Sequence, residues 1–142
     1  MITVERRVRA EPTRVWELVC DVARWAELLP TVESITAKDA GRAPEVGARY
    51  AVKQPGIPVL VYEVTAWEPG REFTWVARSP GARTVATHAV RPAPHGSALT
   101  LTLRWEGPLA PVVERLFGRR TNTYVQREAD TFAGLAEQAG TV

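Results

Sequence analysis

The sequence predicts an α+β domain in which one long C-terminal helix is held against a curved, seven-stranded antiparallel sheet. Three observations carry this prediction. The middle of the chain is a series of short β-branched and aromatic runs punctuated by Pro-Gly turns. A helical apolar stripe fills its last quarter. At the start, one strand is followed by two short helices side by side.

Ile2, Val4 and Arg6 alternate with Thr3, Glu5 and Arg7 ahead of Val8, a strand pattern over 2–9. Pro12 then presets φ at a first helical position, with Val15, Trp16, Leu18 and Val19 recurring behind it at helical spacing. Asp21 suits the N-cap of a second short helix carrying Val22, Trp25, Leu28 and Leu29, and Pro30 stops it.

From Thr31 to Gly107, Gln54-Pro55-Gly56, Glu68-Pro69-Gly70-Arg71 and Ser79-Pro80-Gly81-Ala82 each place Pro where a turn wants φ near −65° and Gly where it wants φ above zero. With Ala93-Pro94-His95-Gly96 as a fourth corner, strands are expected near 32–38, 47–53, 58–67, 72–78, 83–91 and 97–106. In the last of these Leu99, Leu101, Leu103 and Trp105 alternate with Thr100, Thr102, Arg104 and Glu106, so one face covers a core and the other is wet.

After Gly107-Pro108, the residues Leu109, Val112, Val113, Leu116, Phe117, Tyr124, Phe132, Leu135, Ala136 and Ala139 form a helical stripe ending at Gly140. Such a helix is about 45 Å long. Its stripe needs cover, and the concave face of the sheet is the large surface available. A twisted sheet of this size curls, so helix and sheet are expected to meet at their ends and stand apart in the middle, around a cavity in which function resides.

The 142 residues suit one domain spanning 1–142, and 45% apolar with 24% charged residues excludes a disordered chain, a collagen-like repeat and a coiled coil. Eighteen Lys and Arg against sixteen Asp and Glu leave only +2, and acids interrupt the arginines almost everywhere, which argues against a nucleic-acid partner. Cys20 is the single cysteine, so no internal disulfide forms, and with two histidines at unrelated spacing it makes no zinc signature. No stretch approaches the roughly 20 apolar residues of a membrane span, and residues 1–7 lack a signal-peptide core. A soluble, cytoplasmic protein is expected.

The stretch Ala10-Glu11-Pro12-Thr13-Arg14-Val15-Trp16, followed by Asp21, Trp25 and Pro30, resembles the opening of the polyketide cyclase/dehydrase group. Val64-Thr65-Ala66-Trp67-Glu68-Pro69-Gly70-Arg71, Phe73-Thr74-Trp75, His88-Ala89-Val90 with Pro92, and Gly96-Ser97-Ala98-Leu99-Thr100 are similar to later pieces of it. The order of elements resembles the helix-grip fold of the START-like, birch-pollen-allergen-like superfamily (SRPBCC). The resemblance covers nearly the whole chain. Its shared motifs are mostly folding devices, and the group holds aromatase/cyclases, lipid and quinone carriers and stress proteins. It implies a hydrophobic small-molecule ligand, aromatic or polyketide-like, with either cyclisation and dehydration or plain carriage. It implies no metal or redox cofactor. A monomer or weak homodimer is expected.

The expected cavity lining is Tyr50 and Val52, Tyr62, Phe73 and Trp75, Val90 beside His88, and Leu99, Leu101 and Leu103 from the strands. Trp25 stands at the entrance, and Val113 and Phe117 come from the final helix. Equally, these side chains can simply fill a core. The register of the 58–67 strand is open, because Val59, Val61 and Trp67 claim the face opposite Tyr62 and Val64.

His88 is the leading polar candidate, able to give or take a proton, though a lone buried histidine can also be structural. His95, in a turn, is expected in solvent. Steps of helical spacing from Phe117 reach Arg120 or Thr121, then Tyr124 and Glu128, which could present a cation, a phenol and a carboxylate to an enolate-like oxygen. The alternative pairs Arg120 with Glu128 or another acid at the surface while Tyr124 alone packs inside. Gly118 and Asn122 weaken helicity nearby and allow a kink. Cys20 reads as a small packing residue.

Overall fold

The computed structural model describes residues 1–39 and 43–139. The elements run β1 (Ile2–Val8), α1 (Pro12–Val19), a 3-10 turn (Val22–Arg24), α2 (Trp25–Leu28), β2 (Ser34–Ala37), β3 (Arg49–Gln54), β4 (Ile57–Glu68), β5 (Glu72–Ser79), β6 (Ala82–Ala93), β7 (Gly96–Glu106) and α3 (Ala110–Ala139). All strand pairs are antiparallel, in the order β1-β7-β6-β5-β4-β3-β2. Consecutive strands from β3 to β7 are neighbours, as their tight hairpin turns require, β2 pairs with β3, and β1 closes onto β7. The Gly140 stop lies outside the described residues.

Alternation decides which face is buried. Val4 and Val8, Tyr50 and Val52, Phe73 and Trp75, Ala86, His88 and Val90, and Leu99, Leu101 and Leu103 all point to the concave side. β4 resolves its ambiguous register with a bulge: Val64 faces Trp75 but Ala66 faces Thr74, so one extra residue sits between them. The bulge returns Trp67 to the same face as Tyr62 and Val64, where its ring lies 5.5 Å from Trp16 and 5.0 Å from Phe73. Val59 and Val61 stay exposed.

Pro12 occupies the first turn of α1, which buries Val15, Trp16 and Val19. Asp21 departs from expectation. It precedes the 3-10 turn without a side-chain cap, and its carboxylate lies 3.5 Å from Arg24 instead. The second helix is correspondingly split, a 3-10 turn and then the single turn of α2. Leu29 ends it with ψ at 122°, the extended conformation that a following proline enforces.

α3 runs as helix without interruption through Gly118 and Asn122. Its second half is anchored from both sides. Val125, Ala129, Phe132 and Ala136 are buried in the core, and Arg6 of β1 donates to Asp130 at 2.7 Å and to Gln126 at 3.2 Å. The Glu137 carboxylate accepts the Arg9 backbone N–H at 2.9 Å.

Candidate functional site

The first half of α3 stands off the sheet, and the gap is a cleft of about 420 Å³. Ile57, Leu60, Leu103 and Trp105 line it from the sheet, and Val113, Phe117 and Thr121 from the helix. Gln54, Tyr62, Leu103 and Thr121 are shared with a smaller chamber of about 40 Å³ deeper in the fold. That volume accepts roughly two or three waters, or one polar end of a larger molecule. Trp25, Val52, Trp75, His88, Tyr124 and Glu128 complete most of its wall.

Glu128 is the chemical centre of the chamber. It is 9% exposed, and its Oε1 accepts from Thr31 Oγ1 at 3.2 Å and from Gln54 Nε2 at 3.1 Å. Burial disfavours the carboxylate and pushes its pKa up to about 7, although both hydrogen bonds work the other way. Tyr62 faces it from β4, stacked on Trp75 with ring centroids 4.8 Å apart. Burial first, and the Glu128 charge second, raise the Tyr62 phenol, so it stays a neutral donor.

His88 projects inward, as the alternation of β6 requires, and is clamped by rings. It stacks on Phe73 at 4.3 Å and 13°, with Trp25 at 5.3 Å and Trp75 at 5.6 Å edge-on. Burial lowers its pKa to about 3, hydrogen bonding to the Phe73 backbone opposing this weakly, so the imidazole is neutral throughout the physiological range. Its Nδ1 is buried without a hydrogen-bond partner among the described residues.

Arg120 reaches a different destination from either expected one, while Tyr124 lines the chamber and turns its hydroxyl to the same hairpin. Arg120 Nη1 donates to the Gly56 carbonyl at 2.9 Å, and Tyr124 Oη donates to the Pro55 carbonyl. With Gln54 on Glu128, three successive residues of the β3–β4 turn are tied to positions 120, 124 and 128, one helical turn apart. Gly56 suits its place through its φ of +74°, and a Cβ there would meet only the movable guanidinium of Arg120. Arg120 therefore lies over the hairpin and makes no ion pair with Glu128.

The remaining anticipated residues divide between walls and core. Val52, Trp75 and Trp25 line the chamber, Val113 and Phe117 the cleft, and Tyr62 and Leu103 both. Trp25 is anchored by its Nε1 donating to the Val19 carbonyl at 3.1 Å. Tyr50, Phe73, Val90, Leu99 and Leu101 pack in the core behind the chamber wall. His95 takes a left-handed φ of 66° at the β6–β7 turn. Cys20 is half-buried, its Sγ over the Glu17 carbonyl, and burial raises its pKa.

Sequence reasoning passed over Thr31 and Gln54, the two donors to Glu128. Gln54 carried a signal, since it continues the inward alternation of Tyr50 and Val52. Thr31, just after Pro30, carried none. Among the described residues no helix is long and apolar enough to cross a membrane.

The fold has many counterparts among solved structures. A di-domain ARO/CYC protein from the steffimycin biosynthetic pathway superposes with TM-score 0.79 at 11% identity, over 99% of this chain and 51% of that one. A Mesorhizobium loti protein matches at 22% identity with TM-score 0.65, over 96% of this chain and 93% of the other. The allergen Ara h 8.0201 matches at 12% identity with TM-score 0.64, over 95% of each chain. These likenesses show the helix-grip fold. No curated protein matches. The model of one sequence family, polyketide cyclase / dehydrase and lipid transport, matches residues 1–137, and the chain belongs to that family.

Proposed function

We propose that the protein binds a flat, hydrophobic small molecule of aromatic or polyketide type in the cleft, with its polar end in the chamber, and that Glu128 moves a proton on that end. The carrying observation is the junction of an apolar cleft of about 420 Å³ with a buried carboxyl whose pKa is about 7. A general base works best when its pKa lies near the working pH, and the apolar walls hold a flexible chain in one fold.

For a poly-β-ketone, the Glu128 carboxylate takes a proton from a methylene between two carbonyls. The C–H electron pair passes to the enolate oxygen, which accepts a hydrogen bond from the Tyr62 hydroxyl. The nucleophilic carbon attacks a second carbonyl lying against it, and the resulting alkoxide takes the proton back from Glu128. Loss of that hydroxyl as water, with the adjacent C–H proton removed, is the matching dehydration. His88, neutral between its rings, shapes the chamber, and Arg120 and Tyr124 hold the hairpin that walls it.

A carrier of the same ligand is the second reading. It is favoured by the engagement of Arg120 and Tyr124 with backbone carbonyls, which leaves Glu128 and Tyr62 to recognise rather than transform. Leu103 lines both compartments, so Leu103→Trp should weaken binding of an aromatic polyketide by on the order of tenfold or more in native mass spectrometry. Unchanged affinity overturns the cleft as the binding site. With a poly-β-ketone bound, cyclisation by the native protein and none by Glu128→Gln supports the enzyme; no turnover by the native protein supports the carrier.

A further inference from the structure

Among the described residues the chamber holds one acid and no cation, its lining including neither Lys nor Arg. Arg120, on the same helix as Glu128, gives its guanidinium to the Gly56 carbonyl. Lys53 of β3 donates to the Gln54 and Ile57 carbonyls at 2.8 and 2.7 Å. The other polar groups around Glu128 are neutral: Tyr62 from β4, His88 from β6, Thr31 ahead of β2, Gln54 at the end of β3, and Thr121 and Tyr124 on α3 itself. In the outer cleft, Arg78 is the only cation in the lining among the described residues, and it is exposed at the rim.

From this arrangement we infer that the site selects ligands whose inner end is a neutral hydroxyl, an enol, phenol or alcohol, and rejects ligands that would bring a carboxylate to that end. The inference rests on the binding reading above and narrows it. A hydroxyl satisfies the chamber in both directions, donating to Glu128 and accepting from Tyr62. At a pH above about 7, where Glu128 is ionised, a ligand carboxylate would meet the Glu128 carboxylate in a buried space with no cation among the described residues to neutralise either charge, and like charges repel strongly there. Fatty-acid anions are thereby excluded, whereas long-chain alcohols and phenolic or enolic polyketides are admitted.

A pair of probes of one shape tests this: 2-naphthol and 2-naphthoate, read by quenching of tryptophan fluorescence, since Trp25 and Trp75 line the chamber and Trp105 the cleft. At pH 8 the native protein should prefer 2-naphthol by at least about tenfold, and in Glu128→Gln the preference should shrink severalfold, mainly through tighter 2-naphthoate binding. The preference should also narrow for the native protein at pH 5.5, where Glu128, with its pKa near 7, carries a proton. This second measurement needs no variant. Arg78→Gln serves as a background in which a carboxylate gains nothing at the rim.

Equal affinities in the native protein, or a preference unchanged both in Glu128→Gln and at pH 5.5, overturn the selection while leaving the binding site standing. Failure of both probes to bind at all overturns the binding reading, and the selection with it.

Discussion

The two halves of α3 carry the same kind of apolar spacing and end in opposite situations. In the second half Ala129, Phe132 and Ala136 are 0% exposed in the core, and α3 packs on β1, β7 and α1. In the first half Val112 is 52% and Leu116 68% exposed, while Val113 and Phe117 are half-buried along the cleft. A stripe of apolar residues thus specifies only that a helix has an apolar side. Whether that side becomes core or cavity wall depends on how far the curled sheet lies from it.

The largest test of this contrast compares two phenylalanines. Phe132→Ala should destabilise the fold by about 3–5 kcal/mol, because it opens a hole where nothing can collapse, whereas Phe117→Ala should cost about 1 kcal/mol or less and weaken ligand binding instead. Chemical denaturation of both variants decides it. Comparable stability losses would mean that the two halves are packed alike.

Glu128 sits where the halves meet, and its titration should be visible in stability. Its pKa is raised from 4.5 to about 7, so the folded protein holds this proton more tightly than the unfolded chain does. The resulting stability is fully present below pH 4.5 and is lost as pH rises through about 7. Relative to the native protein, Glu128→Gln should therefore gain on the order of 2–4 kcal/mol between pH 4 and pH 8, read from denaturation midpoints. A parallel pH profile for the two proteins would show that Glu128 is not held neutral by burial.

The smallest effect concerns the turn tied to the first half. Tyr124→Phe removes the donor to Pro55 and should cost about 1 kcal/mol, while speeding hydrogen exchange in residues 54–57. No change in exchange there would mean that the hairpin is held by Arg120 and Gln54 alone.

Much of this architecture is legible in the order of residues. Alternation in β7 places Leu101 and Leu103 on the inner face from local pattern alone, whereas β6 alternates less cleanly and only its pairing with β7, His88 opposite Leu101, fixes His88 on that face. Pro12, the Pro-Gly corners and the stripe of α3 are equally local signals. The site is less so. Glu128 was nameable from helical spacing, but its partners come from 97 and 74 residues away in the chain, and no local pattern announces such meetings. Arg120 shows the limit from the other side. Spacing alone offered it an enolate or a surface acid, and the fold presented the bare carbonyl of Gly56.

The sequence by itself determined the strands, the turns, the buried face wherever alternation is unbroken, as in β7 but not in β4, and the existence of a long amphipathic helix, because these follow from backbone sterics and side-chain periodicity within a few residues. Only the tertiary structure decided the bulge that turns Trp67 inward, the separation that makes a cleft from half of α3, and the burial that moves Glu128 to near neutrality and His88 far below it. Those outcomes depend on distances between segments remote in the chain, and both the energy of a charge and the depth of a cavity are set by everything packed around them.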